Sequence, residues 1–311
     1  MDKICDLRTT QDIVKYINRA KETLSPDLLL ILIGPTASGK TKLAVELAKA
    51  LDGEIISADS RQVYQGLDIG TGKDLKEYDG IPYHLIDIVP PTRQYSAKEF
   101  VKDFDIAYHD IIHRGKFPIL CGGTGSYVQT LLQPQPYSSV PKDEAFHVEH
   151  AALSKAELTA MIQAEDIPSD FQIDWDSHKR LIRALEILRY LKTNELPIHT
   201  APKPYPHLIM ALSPPLETRR SRIDKRLSAR MEEGLISEVQ GLLENGLSHE
   251  QLQWFGLEYK YASYYLLGEL TLAEFHDKLR TEIHRFAKRQ MTYFRKMEKD
   301  GLAINWLVNY R

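Results

Sequence analysis

Cysteine is scarce in this sequence: of 311 residues only two are Cys, Cys5 and Cys121, far apart and in no CxxC or Cys/His grouping. That argues against a disulfide framework and a structural zinc site, and fits a reducing cytoplasm. Long apolar runs are missing too. No stretch approaches the about 20 residues of a membrane-spanning helix. No cationic-then-apolar leader is present, so a cytoplasmic protein without a membrane partner is the expectation. Neither sign of charge is in excess: 40 Lys+Arg against 43 Asp+Glu leave a net charge of −3. Bulk electrostatics therefore announce no nucleic-acid binder, and any such role has to rest on a local patch. Internal repeats and low-complexity tracts do not stand out. What is there, 43% hydrophobic and 27% charged residues, is the composition of a globular chain long enough for one large domain or two.

Short apolar stretches alternate with helical patterns, which predicts an α/β fold with a parallel sheet flanked by helices. Residues 1–27 read as a preliminary helix, with Thr10 as its cap and Ile13, Val14, Ile17 and Ala20 on one face. Strands are expected at 28–33, 54–57, 83–87, 117–121 and 207–212. Between 133 and 175 the alternation breaks. Pro134, Pro136, Pro141 and Pro168 punctuate a polar stretch with one or two short helices, which reads as an insertion. From Leu216 to about Asp300 the pattern is almost entirely helical. The expected organisation is an N-terminal helix (1–27), a core of 28–132 and 176–311, and an insertion (133–175).

The most specific motif is Gly34-Pro35-Thr36-Ala37-Ser38-Gly39-Lys40-Thr41, between an apolar strand and an amphipathic helix. This is a complete phosphate-binding loop in the setting such a loop needs. A glycine-rich turn lets N–H groups converge on phosphate oxygens. The following helix N-terminus adds partial positive charge, Lys40 a full one, and the Thr41 hydroxyl can hold Mg²⁺. Taken alone, the loop reads as nucleotide-binding, with ATP its usual ligand. A second group, Asp59-Ser60-Arg61-Gln62-Val63-Tyr64, follows the second strand and should face the same crevice. A carboxylate there serves as a metal ligand, as a general base, or only as a helix cap. A third, Cys121-Gly122-Gly123-Thr124-Gly125-Ser126-Tyr127, follows the fourth strand. Its glycines permit close approach of a ligand or merely a tight turn.

Basic residues recur at helical spacing near the C-terminus: Arg285, Lys288, Arg289, Thr292 and Lys296 form one stripe, with Ile283, Phe286, Gln290 and Phe294 on the other side. Such a stripe neutralises phosphates or is simply a solvated face. Lys179 and Arg183 lie one turn apart, opposite Leu181, Ala184, Leu185 and Leu188, and the same two readings apply. The cluster Tyr259, Tyr261, Tyr264 and Tyr265 reads as packing.

In sequence order, GPTASGKT, ISADSRQVYQGLDIGTGK (56–73), HLIDI (84–88), PILCGGTGSYVQTLL (118–132), RLIRALEIL (180–188), RIDKRLSARMEEGLISEV (222–239) and RFAKRQMTYFRK (285–296) resemble the tRNA dimethylallyltransferases. The resemblance spans about 28–308. It implies a P-loop-type fold and transfer of a dimethylallyl group from dimethylallyl pyrophosphate to N6 of adenosine 37, with release of pyrophosphate. The pyrophosphate would occupy the loop from Gly34 and Pro35 through Thr36, Ala37, Ser38, Gly39, Lys40 and Thr41, with Mg²⁺ as cofactor on Thr41. Asp59, as proton acceptor, Thr36, Lys40 and Arg226, as a pyrophosphate clamp, are the implied catalytic group. Asp59, Ser60, Arg61, Gln62, Thr124 and the segment Lys179, Arg180, Leu181, Ile182, Arg183 are the implied tRNA contacts. The insertion would face the tRNA, the acceptor base would be extruded from the anticodon loop, and a monomer is expected. Three stretches depart from the family pattern: Asp174 to Ser177, Gly256 to Lys260, and the short, irregular Glu144 to Ala160.

Other classes share parts of this pattern. A small-molecule P-loop kinase would have the loop and the Asp but would need no basic C-terminal helix. An adenylate isopentenyltransferase would keep the donor and take free nucleotides. A non-catalytic RNA-binding relative would not need Lys40, Thr41, Asp59 and Arg226 together.

Overall fold

The structure, a computed structural model, describes residues 7–197 and 202–308. Cys5 and the first six residues of the expected N-terminal helix region lie outside them. In chain order the elements are α1 (Thr10–Thr23), β1 (Leu29–Ile33), α2 (Lys40–Leu51), β2 (Gly53–Ser57), β3 (Tyr83–His84), α3 (Ala97–His113), β4 (Phe117–Gly122) and α4 (Gly125–Leu132). They continue with α5 (Glu144–His150), α6 (Lys155–Gln163), α7 (His178–Leu191), β5 (His207–Leu212), α8 (Leu216–Glu233) and α9 (Leu235–Glu244). The last are α10 (His249–Trp254), α11 (Leu257–Leu266), α12 (Leu272–Lys299) and β6 (Ile304–Leu307). Among the described residues no helix is long and apolar enough to cross a membrane.

The chain forms two compact units, 1–131 with 204–311, and 132–203. The first is built on a parallel sheet in the order β3-β2-β4-β1-β5-β6. β1 lies inside it, with all five residues buried, because its unbroken run of Leu and Ile is covered on both faces. Each such side chain stabilises the fold by about 1.5–3 kcal/mol on burial. Leu30 and Leu32 pack with Leu43 and Leu47 of α2 and Ile13 and Ile17 of α1. The loops that carry the motifs all leave the carboxyl ends of β1, β2 and β4, as open parallel sheets require of a ligand site.

Several sequence expectations shift for local reasons. α1 is capped by Thr9 rather than Thr10: the Thr9 hydroxyl accepts the Asp12 N–H at 3.2 Å and the Asp12 carboxylate accepts the Thr9 N–H at 3.2 Å. That reciprocal box needs an acidic residue three positions on, which only Thr9 has. Thr10 instead donates its hydroxyl to Glu46 of α2 at 2.7 Å. The third strand stops after His84 instead of running to 87, since Leu85 (φ 62°) and Asp87 (φ 57°) take left-handed conformations that end ladder pairing. β6, unannounced in a helical reading that stops near Asp300, adds a parallel edge strand to β5, with Ile304 and Leu307 buried.

The second unit begins where the insertion was expected but ends at 203 rather than 175. The reason is α7. Its apolar face, Leu181, Ile182, Leu185 and Leu188, packs with Leu158 and Ile162 of α6, so the helix belongs with the insertion and not with the sheet.

Candidate active site

Residues from the first unit enclose an open cavity of about 400 Å³ at the carboxyl ends of the strands. Thr36, Lys40 and Thr41 of the β1–α2 loop, Asp59 to Gln62, Thr124 and Arg226 all line it. The spacing of sequence motifs over nearly 200 residues thus converges on one concavity.

The β1–α2 loop is held open by its backbone. Gly39 caps α2 at φ 87°, a left-handed conformation that glycine adopts without strain, and Ala37 sits at φ 60°. The first N–H groups of α2 have no acceptor within the helix, and Lys40 and Thr41 of that turn face the cavity. Among the described residues the Lys40 ammonium makes no hydrogen bond or ion pair, and burial holds its pKa below the ordinary lysine value. The Ser38 hydroxyl is buried without a partner. A half-buried ammonium left unpaired beside the free amides of the first turn of α2 forms a cradle fitted to an anion.

Cationic side chains dominate the lining. Lys40, Arg61, Arg226, Arg230, Lys260 and Arg289 face two carboxylates, Asp59 and Glu258. Arg226 donates to Gly72 O at 3.2 Å and to Asp74 at 3.0 Å, and burial, with Arg230 nearby, lowers its pKa. Arg230 pairs with Glu258 at 2.9 Å and reaches Gly70 O at 3.4 Å. The loop between them is fixed from below: the Glu238 carboxylate accepts the N–H groups of Asp68 (2.9 Å), Ile69 (2.7 Å) and Gly70 (3.0 Å) and the Tyr259 hydroxyl (2.7 Å). Lys73, buried, ties Tyr64 O, Asp68 and Asp87 together. Arg230 was not singled out from sequence, although Arg222, Arg226 and Arg230 recur at four-residue spacing, the signal of one helix face. Arg222 also approaches the loop, donating to Ser38 O at 3.3 Å.

Asp59 is half-buried and caps no helix. One carboxylate oxygen accepts the Arg61 N–H at 2.9 Å, closing a turn, and the other has no partner among the described residues. A free oxygen on a fixed carboxylate inside a cationic cavity is what a general base requires. Ser60 N–H donates to the Thr124 hydroxyl at 3.1 Å, so Thr124 locks the Asp59 turn to the third motif. Gln62 bridges Ser57 (3.2 Å) and Gly72 O (3.0 Å). The glycines of the third motif serve close packing within the protein. A Cβ on Gly122 would collide with the Ala58 backbone, one on Gly123 would lie 2.5 Å from Gln290 Nε2, and one on Gly125 2.5 Å from the Tyr293 ring. Cys121 beside them is buried, which pushes its thiol up to about 11.

α12 contributes more than a basic stripe. Ile283 and Phe294 are buried as expected, but Phe286 is exposed and lines the cavity, since it precedes the buried Ala287 on the helix edge. Arg285 pairs with Glu282 at 2.5 Å, and Lys296 with Asp300 at 2.6 Å. The tyrosine cluster does pack: Tyr259 is buried, Tyr261 meets Tyr264 edge-on, and Tyr265 stacks on Phe275.

In the second unit, Lys179 is exposed and Arg180 pairs with Asp174. Leu181 and Ile182 are core. Arg183 donates to Val140 O and Pro141 O and pairs with Glu186, so it holds this unit together.

No group of three or more acidic, His or Cys side chains suited to a metal occurs among the described residues. Thr41, with Asp59 on the same cavity, nonetheless fits Mg²⁺, which binds through one or two protein oxygens and otherwise through substrate phosphates and water.

The sequence model of the IPP transferase family matches residues 62–297, and that of the isopentenyl transferases matches residues 27–79. Curated relatives include tRNA dimethylallyltransferase 2 of Shewanella sediminis, 46% identical over 90% of this chain and 92% of that one. The enzyme of the same name from Porphyromonas gingivalis is also 46% identical, over 90% of this chain and 93% of its own. Among solved structures, the tRNA isopentenylpyrophosphate transferase of Bacillus halodurans aligns with a TM-score of 0.65 at 34% identity, covering 91% of this chain and 90% of that one. A eukaryotic dimethylallyltransferase acting on tRNA aligns with a TM-score of 0.71 at 26% identity, covering 91% and 74%. With a family model matched over most of its length and relatives 46% identical over 90% of it, this chain belongs to the tRNA dimethylallyltransferase family.

Proposed function

We propose that this chain transfers a dimethylallyl group from dimethylallyl pyrophosphate to the N6 amino group of adenosine 37 in tRNA, releasing pyrophosphate. The observation that carries the reading is the shared cavity. An unspent cradle for an anion, Lys40 with the amides of α2, faces the same space as the free oxygen of Asp59.

In this reading the diphosphate lies on the loop 34–41, with Lys40 and Arg226 as fixed positive charges. The C–O bond of the allylic diphosphate breaks, the N6–carbon bond forms, and the proton leaving nitrogen goes to Asp59. Charges set in place before reaction stabilise the departing oxyanion without reorganisation. Arg226 is pre-oriented for this by Gly72 O and Asp74. Mg²⁺ held at Thr41 would add neutralisation of the diphosphate charge. Thr36 shapes the loop through its backbone, whose N–H is taken by Gln290 at 2.8 Å. Ser60, Arg61, Gln62 and Thr124 form the wall that an extruded base would meet. On the second unit, exposed Lys179 and Arg180 are the side chains suited to RNA phosphates.

Relatives and solved structures similar over about 90% of this chain are named for tRNA, which supports a tRNA acceptor over a free nucleotide. A tRNA acceptor and the buried free Cys121 support a cytoplasmic location. Since one chain supplies every cavity residue, a monomer suffices.

The test is acceptor choice. Labelled dimethylallyl pyrophosphate is incubated with the enzyme and either tRNA or AMP. Label in tRNA is the expected result. Label in AMP alone, or ATP-dependent phosphorylation of a small molecule without prenyl transfer, overturns the proposal.

A further inference from the structure

The cavity holds a buried guanidinium that the proposed chemistry does not use. Arg230, one turn along α8 from Arg226, lines the cavity and is only 8% exposed. Its Nη1 is spent within the protein, on Glu258 at 2.9 Å and on Gly70 O at 3.4 Å. Glu258 belongs to the stretch 256–260 that departs from the family pattern, so the departure supplies this arginine with its counter-ion. The remaining edge is unspent. Nε is buried without a partner, and among the described residues Nη2 makes no hydrogen bond or ion pair.

Arg226 and Arg230 stand side by side over the loop that joins β2 to β3. A Cβ on Gly72 would collide with the Nη2 atoms of both, so only glycine lets the two groups meet there. Like charges brought together away from water repel, and Asp74 and Glu258 each offset one of them. Arg226 spends only its Nη2, on Gly72 O and Asp74. Its charge also reaches Lys40. Burial is the main reason that the Lys40 pKa is low, and Arg226 adds to it, as Arg230 adds to the effect of burial on Arg226. Lys40, Arg226 and Arg230 are therefore a linked series of cations on one cavity, with the free amides of α2 beside Lys40.

A purely structural ion pair would have its donors met by protein, as the Glu238 carboxylate is met by three N–H groups and the Tyr259 hydroxyl. A buried donor without a partner is rare in native proteins. An Nε–Nη2 edge is moreover the fork that grips an oxyanion through two parallel bonds. An anion that meets both the α2 cradle and this edge needs two charged groups, as a diphosphate has. We infer that Arg230 is a second clamp on the prenyl donor, acting beside Arg226 on the phosphate group that the α2 cradle leaves. This rests on the reading of the cavity as a diphosphate site, and adds to it a residue that motif spacing does not identify. Two guanidinium groups in addition to Lys40 favour a diphosphate over a single phosphate. They also hold it more tightly as charge builds on the leaving oxygen.

The experiment uses the full chain and two probes, inorganic pyrophosphate and orthophosphate, titrated by calorimetry at fixed Mg²⁺ and ionic strength. Arg230→Met keeps most of the volume and removes the charge, whereas Arg230→Lys keeps the charge and removes the fork. Arg230→Met should bind pyrophosphate about tenfold or more weakly, the loss expected of a charge-assisted pair. Its orthophosphate affinity should change little, because the α2 cradle is intact. Arg230→Lys should fall between. Single-turnover transfer at saturating dimethylallyl pyrophosphate should slow in the same order, and affinity for an anticodon stem-loop RNA should not move. Unchanged pyrophosphate affinity in Arg230→Met overturns the inference. So does an equal loss for both anions, which would make Arg230 a brace of the loop, and so does a loss confined to the stem-loop. If Arg230→Met fails to fold, Arg230→Lys decides by the ratio of pyrophosphate to orthophosphate affinity. The larger reading fails differently: a wild type that binds no pyrophosphate and transfers no prenyl group removes the diphosphate site itself.

Discussion

Gln290 latches the two glycine motifs together: its Oε1 accepts the Thr36 N–H at 2.8 Å while its Nε2 donates to Gly123 O at 3.0 Å. Gln290 lies more than 160 positions from either partner in sequence, and α12 is the element that joins them. Two neutral hydrogen bonds contribute about 1–3 kcal/mol net, so Gln290→Ala should lower kcat/KM for the prenyl donor by about tenfold or more. Gln290→Glu keeps the acceptor and loses the donor, and should fall between. A donor kcat/KM unchanged in Gln290→Ala would mean that the loop keeps its shape without the latch.

Asp59 separates chemistry from binding. Its turn is closed by the Arg61 N–H at 2.9 Å, which an Asn side-chain oxygen can still accept. Asp59→Asn should therefore fold normally and bind RNA and pyrophosphate as before. Turnover should drop by about 10²–10⁴, the usual share of a general base. Single-turnover transfer measured beside equilibrium RNA binding distinguishes the two. A large loss of RNA affinity or of melting temperature would return Asp59 to a structural role.

The core of this site was legible because its chemistry forces a local pattern. The loop 34–41 needs glycine where φ is 87° and a lysine at the helix start, and these cannot be spread over distant segments. Long-range partners left a weaker trace. Gln290 looked like one more residue on the side of α12 opposite the basic stripe, and Phe286 was placed there too, although it faces the cavity. Burial of Ala287 rather than Phe286 follows from how α12 lies, which periodicity alone does not fix. The glycines of the third motif allowed two readings. Collisions with Ala58, Gln290 and Tyr293 select packing. Likewise, α7 has the amphipathic pattern of a core helix, and only the position of Leu158 and Ile162 reveals which core it completes.

Acid should expose a separate weak point at the far end of β2. Glu54 is buried between Arg114 and His84, whose Nε2 lies 2.7 Å away, and the Arg114 hydrogen bonds above all hold its carboxyl down to about 2. The ordinary value for the unfolded chain is 4.5. A carboxyl depressed on folding stabilises above its unfolded pKa and loses that contribution as pH falls toward the folded one. Glu54→Gln should cost about 3 kcal/mol of stability at neutral pH. The gap to wild type should be full above about pH 4.5 and close as pH approaches about 2. Urea unfolding of both proteins across that range checks it. A gap that does not change with pH would mean packing, not charge, is what Glu54 supplies.

The basic stripe on α12 is the remaining electrostatic question. Arg285 is spent partly on Glu282 at 2.5 Å, while Lys288 has no ion pair among the described residues and Arg289 lies 3.9 Å from Glu282. Cations with such exposed, loosely paired heads contribute little to stability, about 0–1 kcal/mol each. Reversing all three (Arg285→Glu, Lys288→Glu, Arg289→Glu) should therefore leave the fold intact while removing phosphate partners. Each phosphate contact to a single strand or duplex contributes about 0.7–0.9 to the slope of log affinity against log salt. The triple variant should bind tRNA more weakly at low salt and show a slope shallower by about 2. Melting temperature serves as the control. Weaker binding with the wild-type slope would mean that the stripe acts through the shape of the cavity. Wild-type affinity and slope together would make it a solvated helix face, leaving RNA recognition to the cavity wall and the second unit.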